Sequence, residues 1–306
     1  MRETDWIARY ILPYVSAGGA YGLKDDVARL ESSNPDKIVT TDMLVEGRHF
    51  LPTDPLETVG RKALRVSISD IYAKGGQPCE ALLSIAWPSD RSEVEFAHFM
   101  SGLGGDLRQF DVSLLGGDLV LTDGPLVLNL VLTGKVQSEA IPLRSGARPG
   151  EALWVSGEIG HGGIGLRAAI HDGDKDAISR YQVPQLPSLA QIDLVARHAS
   201  ASMDISDGLL LDANRLCLAS GVGLVIELDA VPLAKLVSTS DDALAQCTAG
   251  DDYQILMTAP AESELPGFTK IGRVIDGSGL SLIWQGETIG VPEKLGFLHG
   301  EDESSA

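Results

Sequence analysis

Six short segments of the chain set aspartate among small or hydroxyl-bearing residues: Lys24-Asp25-Asp26, Thr40-Thr41-Asp42, Ser69-Asp70, Gly116-Gly117-Asp118, Met203-Asp204-Ile205-Ser206-Asp207-Gly208 and Gly250-Asp251-Asp252. Most of them abut an apolar run. An ionised carboxylate is costly to take out of water without a partner, and lysine and arginine near these segments are too few to serve them all. Hard divalent cations take oxygen ligands, and Mg²⁺ keeps waters and phosphates in its shell. The pattern therefore reads as a Mg²⁺–nucleotide site assembled from scattered loops.

Any one segment has an ordinary explanation, since Asp beside Gly is common in turns; the set carries the reading. Asp26, Asp42, Asp70, Asp118, Asp204 and Asp207 all fall at or near the ends of expected strands or helices, where α/β folds gather ligands. Asp70 is the sharpest of them, since its helix places it among Ala63, Val66 and Ile71. The competing explanation for Asp70 is an ion pair with Lys62 or Arg65 on the same helix. Thr40 and Thr41 add hydroxyls that can complete a metal shell or bond phosphate; the alternative is a β-branched strand closed by an Asx turn. Gly116 and Gly117 leave bare amides for a phosphate, or form a simple turn after a strand. Arg144 suits a bidentate phosphate contact, or is a solvated charge in a linker. His49 contacts substrate or packs at a strand end. The Gly160–Gly165 run lacks the Lys-Ser/Thr of a phosphate loop and reads as a plain turn.

The elements that must position these residues follow from periodicity. Apolar spacing over Trp6–Val15 predicts a short amphipathic helix. Ile38–Leu44 reads as a strand with Thr40 and Asp42 on one face and Thr41 on the other. Asp54-Pro55 starts a helix that ends at Gly75-Gly76, with Ser67 and Asp70 spaced i, i+3 along it. Ala81–Trp87 reads as a strand, Val94–Phe110 as a helix, and Pro125–Val136 as another strand. Polar residues, Pro and Gly around 137–150 mark a domain boundary. Beyond it come a strand from Glu151, a helix capped by Ser206 and ending at Gly221, and strands at Gly223–Leu228, Gln254–Thr258 and Lys270–Val274. The fold class is α/β of the α+β type, with domains at 1–137 and 138–306.

Composition excludes several functions. With 306 residues, 44% of them hydrophobic, and 34 glycines, the chain suits two globular domains with many tight turns. A formal net charge of −19 without a Lys/Arg cluster argues against a nucleic-acid partner. The N-terminus carries no apolar signal region. The longest apolar run, Pro125–Thr133, is far short of the about 20 residues that span a bilayer. Cys79, Cys217 and Cys247 have no zinc or disulfide spacing. A cytoplasmic location is the expectation.

Taken in order, Thr40-Thr41-Asp42-Met43-Leu44-Val45-Glu46-Gly47-Arg48-His49-Phe50, Ser69-Asp70-Ile71-Tyr72-Ala73-Lys74-Gly75, Leu115-Gly116-Gly117-Asp118, Arg144–Gly150, Asp204-Ile205-Ser206-Asp207-Gly208-Leu209 and Gly250-Asp251-Asp252-Tyr253 resemble the thiamine-monophosphate kinases of the aminoimidazole-ribonucleotide-synthetase-like superfamily. The resemblance covers nearly the whole chain. It implies ATP-dependent phosphorylation of thiamine monophosphate, several Mg²⁺ ions, and a homodimer that pairs the N-terminal sheets; a requirement for a monovalent cation is left open. By position it implies metal contacts from Asp26, Thr40, Thr41, Asp42, Asp70, Asp118, Asp204 and Asp207. It further implies nucleotide contacts from Gly117, Asp118, Arg144 and Ser206, and substrate contacts from His49 and Asp251. Departures are Lys24 for a usual Gly, Asp251 and Gln254 for usual Glu residues, and Gly296-Phe297-Leu298-His299-Gly300, which lacks a final aromatic. The alternatives are a superfamily enzyme with another acceptor and a non-catalytic Mg²⁺–nucleotide-binding homologue.

Overall fold

The computed structural model describes residues 7–15, 17–30, 36–137 and 141–298. The expectations for Trp6, for His299-Gly300 and for the polar tail 301–306 lie outside the described residues.

Residues 28–136 build a five-stranded sheet in the order β1 (Ala28–Arg29), β2 (Lys37–Val45), β5 (Val127–Val136), β3 (Gly76–Pro88), β4 (Ser113–Thr122). Only the β3–β4 pair is parallel. Alternation along β5 buries Leu128, Leu130 and Leu132, so one face of the sheet is apolar and demands a cover. Helices α1 (Leu56–Ala73) and α2 (Glu93–Gln109) provide it. Pro55, at φ −58°, leads into α1, and Ser92 with Glu95 closes a capping box on α2. The two helices approach closely at Gly102, where a Cβ would stand 1.8 Å from the Glu57 carbonyl oxygen.

Residues 152–289 build a seven-stranded sheet in the order β12 (Glu287–Ile289), β11 (Gly279–Trp284), β8 (Gly223–Glu227), β10 (Thr269–Ile275), β6 (Ala152–Val155), β9 (Gln254–Ala259), β7 (Ala201–Ile205). Helix α6 (Leu209–Ser220) covers one face. Helices α3 (His161–Ile170), α4 (Lys175–Gln182), α5 (Leu189–His198) and α7 (Ser240–Cys247) complete this part.

Helix α1 belongs to both halves: it packs on β2, β3 and β5, and also on β7 and β9. A single apolar core accordingly runs from Leu130 and Leu132 through Leu64, Ile68 and Ile71 to Ile255, Met257 and Trp154. This seam places the C-terminal half of α1 against the end of β7.

Several local readings differ from sequence. The Gly160–Gly165 run, read as a plain turn, is the N-cap and the start of helix α3. Gly116-Gly117-Asp118 lies inside β4 and not in a turn after it. Gly117 is required there because a Cβ would stand 1.6 Å from the Leu83 carbonyl oxygen on β3. The N-cap of α6 is Gly208, not Ser206; the amides of Ser206 and Asp207 bond instead to the Asp212 carboxylate, at 3.1 and 3.0 Å. Strand β3 begins at Gly76, directly after α1.

Candidate active site

Strand β2 and helix α1 bring the first acids together. Register pairs Thr40 with Leu132 and Asp42 with Leu130, so both side chains face the helices. From α1, Ser67 Oγ donates to Asp42 Oδ2 at 2.7 Å, and Asp70 Oδ2 accepts from Thr40 Oγ1. Neither Lys62 nor Arg65 serves Asp70. Lys62 pairs with Asp251, and Arg65 with Asp106 at 2.5 Å. The ion-pair explanation for Asp70 is thereby removed.

Asp204, on β7, and Asp26 close the cluster. Carboxylate oxygens of Asp26, Asp70 and Asp204 all lie within 4.8 Å of one another. Asp26 is the one with cations: Lys74 Nζ lies 2.5 Å from its Oδ2, and Arg144 Nε donates to Oδ1 at 3.0 Å. Burial alone would raise the Asp26 pKa, but Lys74 and Arg144 outweigh it and hold the carboxyl below its ordinary range. Asp70 has no cation to help it, and Asp204 has only a pull from Arg144 that burial outweighs. Burial pushes both well above the ordinary carboxylate value, and neighbouring charges add to it: Asp42, Asp204 and Asp26 on Asp70, and Asp26 and Asp212 on Asp204. Asp42 is raised as well, by burial and by Asp26, against the bond from Ser67.

The donor set is carboxylate and hydroxyl oxygen, with no thiol or imidazole among the described residues of the cluster. Such a set suits a hard divalent cation, whose charge would relieve the repulsion that raises Asp70 and Asp204.

These acids border a cleft of ≈ 450 Å³. Asp42, Asp70, Arg48 and His49 line it from the first half of the chain, and Asp204, Ser206, Asp207, Asp251 and Phe297 from the second. His49 Nδ1 accepts from the Val45 amide at 3.0 Å. Asp207 pairs with Arg215 at 2.6 Å. Lys24 is exposed.

Thr41, Gly117 and Asp118 do not join the group. Thr41 faces the opposite side of β2, where Oγ1 accepts from Asn129 Nδ2 at 3.0 Å. Register runs Met43–Asn129–Ser84–Asp118 across four strands, so Asp118 stands three strand spacings, about 14 Å, from the Asp42 strand. Its strand is exposed along nearly its whole length.

Lys74, Asp212 and Lys62 are parts of the site that the motifs did not single out. Asp212 is wholly buried, pushed up to about 7 by burial against the pull of Arg215, and it fixes the Ser206–Asp207 loop. The signal that marks Asp70, a carboxylate inside an apolar helix, also marks Asp212 in Leu209-Leu210-Leu211-Asp212-Ala213. Lys74 caps that helix, one turn after Asp70, but its acceptors are 48 residues or more away and left no local trace.

No described helix is long and apolar enough to cross a membrane. Residues 24–136 match the family model of AIR synthase related protein, N-terminal domain, and residues 148–285 that of its C-terminal domain. The chain is 35% identical to the thiamine-monophosphate kinase of Caulobacter vibrioides, over 97% of this chain and 91% of that one. It is 34% identical to that of Aquifex aeolicus, over 84% and 87%. The solved structure of AaThiL complexed with AMPPCP and TMP matches with a TM-score of 0.83 at 31% identity, covering 98% of this chain and 99% of that one.

Proposed function

This chain belongs to the AIR synthase related family and, within it, to the thiamine-monophosphate kinases, and from that premise we propose that it transfers the γ-phosphoryl group of ATP directly to thiamine monophosphate, forming thiamine diphosphate. The observation that carries the reading is the convergence of Asp26, Asp70 and Asp204 beside a cleft bordered by His49 and Asp251. Asp26, Asp42, Asp70 and Asp204 would hold Mg²⁺, with Thr40 and Asp207 at the margin. Bound Mg²⁺ supplies neutralising charge to the phosphates of both substrates.

The chain's own residues then have a short task. The acceptor is a phosphate monoester with a second pKa of about 6, so it is largely dianionic at neutral pH and needs no strong base. Positioning two anions in line is the difficulty, and electrostatics with orientation supply most of the catalysis. We assign Arg144 and Ser206 to the nucleotide, and His49 and Asp251 to thiamine monophosphate. The test is to incubate the protein with thiamine monophosphate, ATP and Mg²⁺ and to resolve the thiamine phosphates by chromatography. Thiamine diphosphate with ADP, abolished by EDTA, supports the reading; tight Mg²⁺–ATP binding without product points to another acceptor. A phosphorylated residue trapped on the path would refute direct transfer.

Asp251→Ala is expected to raise the KM for thiamine monophosphate roughly tenfold or more, the cost of losing one charged hydrogen bond, with a smaller effect on the KM for ATP. Equal effects on both would assign Asp251 a structural or metal role.

A homodimer accounts for the residues left outside the cleft. The face of the first sheet turned away from α1 exposes Met43 (56%), Leu82 (45%) and Val120 (50%), an apolar surface of the kind that marks an interface. We assign this face to a second copy, which brings Gly117 and Asp118 to the nucleotide of its partner. Leu82→Glu combined with Val120→Glu is expected to give monomers in sedimentation and to lose turnover together with dimerisation. Full activity in a monomer would refute the assignment. The expected place of action is the cytoplasm.

A further inference from the structure

Lys62 has no place in the motifs that mark the family, yet it is the buried cation nearest the cleft's thiamine side. Its residue exposure is 1%. The ammonium lies 2.8 Å from Asp251 Oδ2, donates to the His49 carbonyl at 3.0 Å and sits 4.2 Å from the centroid of the Tyr181 ring. Three separate segments thus hold one charge: the loop after β2, helix α4, and the Gly250–Tyr253 loop. That last loop is bent back on itself. Asp251 (φ 68°) and Tyr253 (φ 52°) are both left-handed, a conformation that non-glycine residues keep only when their surroundings enforce it. The amides of Asp251 and Tyr253 bond to the carbonyls of Ser206 and Ile205, each at 2.8 Å. Tyr253 Oη donates to Asp251 Oδ1 at 2.9 Å.

We infer that Lys62 is a positioning residue for thiamine monophosphate, acting from the first sheet's helix through Asp251. With Oδ2 held by Lys62 and Oδ1 by Tyr253, the Asp251 carboxylate has one orientation, and each oxygen keeps a lone pair for a substrate N–H. The His49 carbonyl and the Tyr181 ring fix the ammonium, so the wall keeps its shape before substrate arrives. The inference rests on the kinase reading and on Asp251 as a substrate contact.

A double-mutant cycle tests it. Lys62→Met leaves the Asp251 carboxylate beside an apolar side chain, and it is expected to raise the KM for thiamine monophosphate about tenfold or more while moving the KM for ATP by less than about twofold. Adding Lys62→Met to Asp251→Asn is expected to raise the same KM by less than about twofold further, because the residue through which Lys62 acts is already gone. Lys62→Gln provides the single variant if Lys62→Met does not fold. A merely structural role would lower Tm and move both KM values together. KM factors that multiply in the double variant, or an ATP effect equal to the thiamine monophosphate effect, overturn the assignment. Wild-type protein that forms no thiamine diphosphate overturns the kinase reading and this assignment with it, so the two failures are distinct.

Discussion

Asp42→Asn is expected to leave the fold intact and to lower kcat by about 10²–10³-fold, the scale seen when one preorganised electrostatic contact to the reacting group is removed. Asn has the shape of Asp, and its side-chain oxygen can still accept from Ser67 Oγ, which now bonds Asp42 Oδ2 at 2.7 Å. The substitution deletes one negative charge from a group in which Asp42 already raises the pKa of Asp70. Without metal, therefore, the variant should melt at the wild-type temperature or above it. Its deficit should appear as weaker Mg²⁺ dependence and slower turnover. Calorimetry and steady-state kinetics on the same preparation separate the two effects. Wild-type turnover in Asp42→Asn would remove Asp42 from the metal site. A large fall in Tm would make it a structural residue.

Mg²⁺ is expected to stabilise the protein more at pH 8 than at pH 5.5. Burial and mutual repulsion raise Asp70 and Asp204 well above the ordinary carboxylate value in the metal-free fold, while the unfolded chain keeps that value, about 3.9. Above the unfolded pKa the native state therefore binds more protons than the unfolded one. The derivative of unfolding free energy with pH is then negative, and metal-free stability falls as pH rises toward the raised values. Asp212 and Asp252, both raised to about 7 chiefly by burial, add the same sign up to that pH. Asp26 is depressed by Lys74 and Arg144; its contribution is lost only as pH falls below the unfolded value, so it adds no slope between pH 5.5 and 8. A cation that replaces the protons removes the penalty, and its binding releases protons. At 100 times Kd, Mg²⁺ adds about 2.7 kcal/mol, or roughly 4 °C in a chain of 306 residues. Thermal melts with Mg²⁺ and with EDTA at the two pH values decide the matter. An Mg²⁺ increment that is equal at both, or larger at pH 5.5, would mean that Asp70 and Asp204 are not the ligands.

The sequence carried the local geometry of the site well. Ile38–Leu44 is a strand with Thr40 and Asp42 on one face, and Lys37–Val45 is that strand in the structure. The i, i+3 spacing of Ser67 and Asp70 put both above that face, where they now bond Asp42 and Thr40. Pro55 and Gly75 bracketed α1 because they act on their own backbone. Pairing across long separations left no such mark. Lys62 and Arg65 were equal candidates for Asp70 on one helix, and only the folded chain reveals that Lys62 is taken by Asp251 of the second half and that Arg65 turns to Asp106 on α2. Lys74 reaches Asp25 and Asp26, nearly fifty residues back in the chain, and the Ser202 carbonyl across the seam. Gly116-Gly117 looked like a turn because glycine pairs usually make turns; here the glycine at 117 admits the neighbouring strand's carbonyl. Strand β7, Ala201–Ile205, is five residues with Ser and Asp among them, too short and too mixed for periodicity to mark.

Helix α1 packs on both sheets and contributes to one continuous apolar core. A chain divided into two halves by its sheets therefore has no mechanical division at that seam. Swinging one half away from the other would strip Leu64, Ile68 and Ile71, each now fully buried, from their neighbours. In hydrogen exchange the amides of α1, β2 and β7 should open together, only with global unfolding, as one cooperative unit. Substrate entry and product exit then proceed without a swing of one half against the other, and the acid cluster stays undisturbed from one turnover to the next.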